Sequence, residues 1–321
     1  LSVAPWDDRA VHERITELAK QFPENTRIGI NLTGGTKLMF AGALSAAREL
    51  GAIPFYFDSR NRQITFVDSL RREKIRRIDS IETFLRLNSD GLDISNDSVM
   101  NEMSQDRQLL TKTLWIHREK LRRFYKELTD YNNAFKPFEI CRDGINFKLD
   151  NSERARFQGY GLDLEFERWP DFAKYLSGGW FEEFVYLQCK PYEDTGVIQD
   201  LRINVKLNLK QENTWNHSNF GAEYNELDVT FTDGYSLYIV ECKAGNVTQE
   251  QVMKLQNLVR FYGGTEGRGI VACCVPPNTE KTKKKIKDAR LSLWSGTSLA
   301  EQIKTMMNSI VARAEAIEGT T

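Results

Sequence analysis

The run Glu226-Leu-Asp228-Val-Thr-Phe-Thr-Asp-Gly-Tyr-Ser-Leu-Tyr-Ile-Val-Glu241-Cys-Lys243 decides how the chain is read. Two stretches rich in Val, Ile, Thr, Tyr and Phe flank Asp233-Gly234, a strong short-range signal for a β-hairpin. If Asp233 and Gly234 are the two central turn residues, Asp228 faces Ile239 and Glu226 faces Glu241. Side chains alternate along a strand, and facing residues share one side of the sheet. Glu226, Asp228, Glu241 and Lys243 therefore emerge together. Asp228 and Glu241 become diagonal neighbours, with Cα atoms ~7–8 Å apart.

Acids gathered in this way repel and raise one another's pKa. A Mg²⁺ or Mn²⁺ ion, which takes oxygen ligands, removes the conflict. Lys243 on the same face can stabilise charge at a phosphate or orient a water. The plain alternative is a hairpin with a wet polar face. Leu237, Ile239 and Val240 imply burial beside the acids, where charges need partners, so the reading is a metal-dependent phosphodiesterase site.

Asp228 on one strand and Glu241-Cys242-Lys243 on the next resemble the PD-(D/E)XK restriction-endonuclease-like superfamily. Members often add a glutamate on the preceding helix, and Gly178-Gly-Trp-Phe-Glu182-Glu183-Phe-Val-Tyr186 fits that pattern, with Glu182 the better match. The literal Pro-Asp dipeptide is absent, since Leu227 precedes Asp228. The resemblance implies metal ligation by Asp228, Glu241, Glu182 and the Cys242 carbonyl. It also implies a catalytic Lys243 and a Glu226 that binds metal or orients water.

Near the other end, Arg27–Leu32 reads as a strand, followed by Thr33-Gly34-Gly35-Thr36-Lys37 and a helix rich in small residues that ends at Gly51. Strand, glycine turn and helix N-terminus make an anion site of free backbone N–H groups. It is neither a Walker loop nor a dinucleotide fingerprint, because the glycine spacings differ. A tight turn for close packing is the alternative; threonines on both sides and the lysine favour phosphate. Asn31-Leu-Thr-Gly-Gly-Thr-Lys37-Leu-Met39 is similar to the signature of CARF domains, the cyclic-oligoadenylate sensors of type III CRISPR systems. The resemblance implies a Rossmann-like dimer whose cleft holds the nucleotide, cyclic tetra-adenylate being the expected ring, through Asn31 and Thr33 to Lys37. A CARF domain needs more parallel strands than residues 1–67 supply, and the chain opens at Leu1, so the first strands are expected upstream of it.

The expected fold is α/β: a Rossmann-like CARF domain (1–88), a small α+β linker module (89–159) and a restriction-endonuclease-like domain (160–321). Residues 68–79 hold Arg71, Arg72, Arg76 and Arg77, read as a solvated helix face in preference to a nucleic-acid contact. The polar stretch 88–103 reads as a linker. A helix over 108–128 and a hairpin around Asp143-Gly144 suggest a winged-helix-like module. In the last domain the order is a helix over 175–188, a strand over 201–209, a loop holding Trp215, the hairpin, a helix over 248–261 and a strand over 269–275. Lys281 to Lys287 holds five lysines, read equally as a solvated surface or a phosphate contact.

The 321 residues are 40% hydrophobic and 28% charged, with 44 basic against 45 acidic residues, so no global positive charge draws nucleic acid. No apolar run approaches the ~18 residues of a membrane span. Five cysteines, without a C-x-x-C pair, and three scattered histidines disfavour zinc and suggest reduced thiols in a cytoplasmic protein. The reading is a metal-dependent nuclease acting on DNA or RNA, a homodimer switched on by cyclic oligoadenylate. A constitutive repair or restriction nuclease, and a nucleotide-sensing regulator with an inert nuclease, are the alternatives.

Overall fold

The computed structural model describes residues 4–59, 61–88, 92–96, 103–119, 138–142, 144–149, 154–209 and 223–318. The chain divides into two compact units, Leu1–Arg76 with Arg313–Thr321, and Arg77–Ala312.

The first unit begins with α1 (Asp8–Ala19), whose N-cap Asp7 accepts a hydrogen bond from the Ala10 amide. Strand β1 (Gly29–Asn31), helix α2 (Lys37–Leu50) and strand β2 (Ile53–Asp58) follow, with β1 and β2 parallel. Strands β3 (Gln63–Phe66) and β4 (Arg72–Lys74) complete a sheet of order β1-β2-β3-β4. Val11, Ile30, Leu32, Ala43 and Ala47 form its core. The small residues of α2 have a use: a Cβ on Gly42 would lie 2.1 Å from the Asp8 carbonyl oxygen, so α1 rests directly on the α2 backbone. Gly51 takes φ 61° just past the helix, as its C-terminal position requires.

The arginine-rich stretch is not a helix. The chain turns at Leu70, held at φ 55°, and pairs back on β3 as β4. Arg71 covers the Phe66 ring at 4.4 Å and pairs with Glu73.

In the second unit, α3 (Ile81–Asn88), β5 (Leu92–Asn96) and α4 (Gln105–Ile116) precede an antiparallel meander. The meander is β6 (Phe138–Arg142), β7 (Ile145–Leu149), β8 (Ala155–Gly159) and β9 (Leu162–Phe166). The expected hairpin is present, with Arg142 paired to Ile145 and Gly144 at φ 81°, but it continues into four strands. Helix α5 (Trp169–Lys174), a wide turn (Tyr175–Gly179) kinked at Gly178 and helix α6 (Trp180–Asp194) come next. Strands β10 (Gln199–Leu209), β11 (Glu223–Thr232) and β12 (Leu237–Lys243) lead to α7 (Gln249–Gly263). Then β13 (Arg268–Cys273), α8 (Glu280–Asp288) and β14 (Ser292–Ser295) follow, and α9 (Leu299–Glu318) ends the described chain, belonging to this unit as far as Ala312.

The central sheet has the order β14-β13-β12-β11-β10-β5. Its β12-β13-β14 part is parallel, and the rest is antiparallel. One core gathers Trp180, Phe181 and Phe184 of α6 around Phe231, Tyr238 and Val240. A second gathers Val252 and Leu255 of α7 with Ile81 and Leu85 of α3 around Leu237 and Ile239. Much of the stretch read as a linker thus belongs to this unit. β5 extends the sheet, and Leu110, Leu114, Ala155 and Phe157 enter the first core. Residues 120–137, which hold the rest of the expected helix, and 210–222, which hold Trp215, lie outside the described residues. No helix among the described residues is long and apolar enough to cross a membrane.

Gly42→Ala is expected to destabilise the first unit by roughly 1–3 kcal/mol, because α1 must shift to admit the methyl group. A lowered thermal midpoint, set beside an exposed control such as Gly34→Ala, checks this.

Candidate active site

The hairpin is built, but its register differs from the two-residue turn. The strand pairs run from Thr232↔Leu237 to Val229↔Val240, leaving a four-residue tip, Asp233–Ser236. Asp233 causes this. Its Oδ1 accepts the amides of Tyr235 (2.9 Å) and Ser236 (2.8 Å), and its Oδ2 accepts the Tyr238 hydroxyl (3.0 Å). Ile239 pairs with Thr230 and so does not face Asp228, and the same register carried one step further would set Asp228 against Glu241 rather than diagonal to it. The shift is two residues, one full side-chain period, so by itself it leaves the alternation of the paired residues unchanged; a one-residue slip would reverse it.

Beyond Val229↔Val240 the ladder between β11 and β12 ends while both strands continue. A side chain closes the gap: Asp228 Oδ2 accepts the Cys242 amide at 2.7 Å. Lys243 Nζ lies 2.7 Å from Glu241 Oε1 and 3.5 Å from Asp228 Oδ2, and donates to the Cys242 carbonyl at 3.0 Å. The Cys242 side chain turns the other way into the first core, where burial pushes its thiol well up.

β10 supports this arrangement from the far side of β11. Its register runs Ile203↔Val229, then Val205↔Leu227, and between them Asn204 takes a left-handed φ of 51°. Ile203 and Val229 belong to the first core, Val205 and Leu227 to the second. Both strands therefore change sides at the level of Asp228. Asparagine tolerates this backbone region better than most residues. An asparagine amid alternating apolar residues was the only sequence trace of the kink.

Glu182 reaches the cluster from the first turn of α6. Burial, then the charges of Asp228 and Glu226, push its carboxyl up to about 8. Asp228 rises to about 6 through burial and Glu241. Burial pulls the Lys243 ammonium down, but Asp228 and Glu241 together hold it above its ordinary range. Glu226 Oε1 is buried without a hydrogen-bond partner among the described residues, and its nearest cation is Lys174, at 3.7 Å. The structure thus brings Glu182, Glu226, Asp228, Glu241 and Lys243 into one electrostatic cluster. No three acidic, cysteine or histidine side chains among the described residues stand ready as a finished metal cage.

The neighbouring Glu183 is 2% exposed and points elsewhere. Arg107 of α4 grips it with Nη2 at 2.6 Å and Nε at 3.0 Å, Thr111 donates at 3.1 Å, and Thr111 in turn meets the Tyr175 hydroxyl at 2.9 Å. Burial lifts the Glu183 carboxyl, and Arg107 opposes the rise. The sequence reading missed this clamp, which fixes the turn of α6 that carries Glu182.

In the first unit, Asn31 Oδ1 accepts the Thr33 amide (3.0 Å) and hydroxyl (2.6 Å), and Thr33 Oγ1 accepts the Phe57 amide (2.7 Å). Thr36 caps α2 and donates to the Pro5 carbonyl. Both threonine hydroxyls thus hold the turn together. Gly34, Gly35 and Lys37 are exposed, and Lys37 has no ion-pair partner among the described residues.

Residues 171–312 match the family model described as Card1-like, endonuclease domain. The whole chain is similar in fold to Can2 from Sulfobacillus thermosulfidooxidans, solved in complex with cyclic tetra-adenylate, at 20% identity and a TM-score of 0.65, covering 95% of this chain and 83% of that one. It is also similar to the protein VC1899 from Vibrio cholerae, at 16% identity and a TM-score of 0.68, covering 98% and 83%. No curated protein sequence matches at a significant level. The family match agrees with the endonuclease part of the resemblance, and the fold likenesses bear out the mixed α/β fold read from the sequence.

Glu182 and Asp228 bind protons more tightly in the folded metal-free protein than in the unfolded chain. Stability from these groups is full below the ordinary carboxylate range and is lost as pH rises from there to about 6 for Asp228 and to about 8 for Glu182. In chelator, the melting temperature should fall across that range, and Glu182→Gln should flatten the upper part of the decline. A midpoint that climbs with pH would contradict the assigned environment.

Proposed function

We propose that this protein is a divalent-metal-dependent endonuclease that hydrolyses phosphodiester bonds of DNA or RNA and is activated by a cyclic oligoadenylate. One observation carries the nuclease half. Four carboxylates, Glu182, Glu226, Asp228 and Glu241, face two ammonium groups, Lys174 and Lys243, in a half-buried patch. Fully ionised, that set is two positive charges short of neutrality. Without a metal it makes up part of the deficit by keeping a proton on Glu182. A divalent cation fits both the charge and the all-oxygen donors, and the orphaned Glu226 Oε1 offers a further ligand atom.

Asp228 and Glu241 would hold the ion, with Glu182 and Glu226 completing its surroundings and the Cys242 carbonyl within reach once Lys243 turns away. The metal's chemistry here is to acidify a water and to screen charge at the phosphate. Lys243 stabilises charge developing on the phosphoryl oxygens. Asp228 keeps its grip on the Cys242 amide, which fixes β12 at the point where it leaves β11.

In the first unit, nucleotide phosphates would meet the exposed amides of the Gly34-Gly35 turn and the Lys37 ammonium at the start of α2, with Asn31, Thr33 and Thr36 holding the turn's shape. The complex of Can2 with cyclic tetra-adenylate supports that choice of effector. A homodimer that pairs two such turns around one ring is part of the proposal.

Glu241→Gln should abolish Mn²⁺-dependent cleavage of labelled single- and double-stranded substrates while the protein still melts cooperatively. Retained full cleavage would remove the assignment. Lys37→Ala should raise the cyclic tetra-adenylate concentration needed for half-activation by at least about ten-fold, with unchanged cleavage at saturating effector. Cleavage indifferent to the nucleotide in the unaltered protein would overturn the activation half alone.

A further inference from the structure

Two ammonium groups face the acid cluster, and they are held very differently. Lys243 is 25% exposed and touches Glu241, Asp228 and the Cys242 carbonyl. Lys174 is 60% exposed, and its one ion-pair partner among the described residues is Glu226, at 3.7 Å, beyond hydrogen-bond length. The Glu226 oxygen it approaches has no hydrogen bond among the described residues. An exposed pair of this geometry is weak and easily exchanged.

The backbone beneath Lys174 is fixed by contrast. Phe172, Tyr175 and Leu176 on either side are buried. The Lys174 carbonyl accepts the Ser177 hydroxyl at 2.8 Å, and a Cβ on Gly179 would come within 3.5 Å of that carbonyl oxygen. A long flexible side chain thus leaves a rigid corner at the mouth of the cluster, where Glu182 already feels its charge.

A polyanionic substrate has an electrostatic difficulty here. Four acids repel it, and the chain as a whole, at net charge −1, offers no compensating attraction. We propose that Lys174 is a substrate-contacting residue: its ammonium leaves Glu226 and grips a backbone phosphate of the nucleic acid at the entrance to the site. Lysine suits the exchange, being a mobile point charge rather than a planar fork. Glu226 is its resting partner, freed for the metal when Lys174 turns outward. The inference deepens the nuclease reading and rests on it.

The test uses the full chain carrying Glu241→Gln, so that substrate survives, with Mn²⁺ and labelled single-stranded and duplex oligonucleotides. Binding is read by fluorescence anisotropy over a salt series, and Mn²⁺ affinity by calorimetry. Adding Lys174→Gln should weaken oligonucleotide binding about ten-fold at low salt, with little dependence on sequence. The slope of log affinity against log salt should shrink by roughly one contact. Lys174→Arg should restore most of both, and Mn²⁺ should bind Lys174→Gln at least as tightly as its parent. Unchanged oligonucleotide affinity and slope overturn the proposal. So does a change confined to Mn²⁺ affinity, which would make Lys174 only a screen for Glu226. Should the unaltered protein neither bind Mn²⁺ nor cut nucleic acid, the nuclease reading fails and this assignment falls with it. Should it do both while Lys174→Gln matches its parent, the Lys174 assignment alone is lost.

Discussion

Like charges held close together in a poorly solvated place are what the rest of this structure answers. Glu182, Glu226, Asp228 and Glu241 come from a helix and two strands that share a sheet and a core, so none can leave without breaking the other packing. Burial alone would push all such groups toward neutrality. The surroundings soften this selectively. Asp228 gains the Cys242 amide, Glu241 gains Lys243, and Glu226 has a more distant Lys174. Glu182, pushed furthest, is the group that takes the proton.

Two consecutive glutamates on α6 illustrate how the fold separates roles. Successive residues on a helix point about 100° apart. Glu183 turns into the contact with α4, where Arg107 and Thr111 satisfy it, and Glu182 is thereby left to face the strands. A buried ion pair is weak evidence for stability, although removing one partner commonly costs ~3–5 kcal/mol. Here its clearer consequence is angular: it sets the rotation of the first turn of α6.

Much of this was legible in the sequence because period-two and period-3.6 patterns report on burial. The Val, Ile, Thr, Tyr and Phe runs around Asp233-Gly234 are a real hairpin, Gly51 does end α2, and Glu182 rather than Glu183 joins the acids. What the sequence hid was set by side chains acting on backbone. Asp233 widens the tip through two amides, which no dipeptide rule anticipates. Leu70 at a left-handed φ turns an arginine-rich stretch into a strand, where composition suggested a helix. The polar stretch after residue 88 looked like a tether, yet β5 completes the sheet edge by main-chain pairing, which needs no apolar signature. Asn204 moves two apolar neighbours into different cores while the sequence alternation stays unbroken.

The hairpin tip has a consequence for how such a protein can drift in sequence. Strand faces repeat every second residue. A loop that lengthens or shortens by an even number, with its Asp233-like brace adjusted, re-pairs the strands and still delivers the acids to the same side. An odd insertion taken up by re-pairing, rather than by the loop, would reverse the faces of one strand against the other. The tip therefore accepts an odd change only as slack in the loop, with Thr232 still opposite Leu237, whereas an even change can also be absorbed by the ladder.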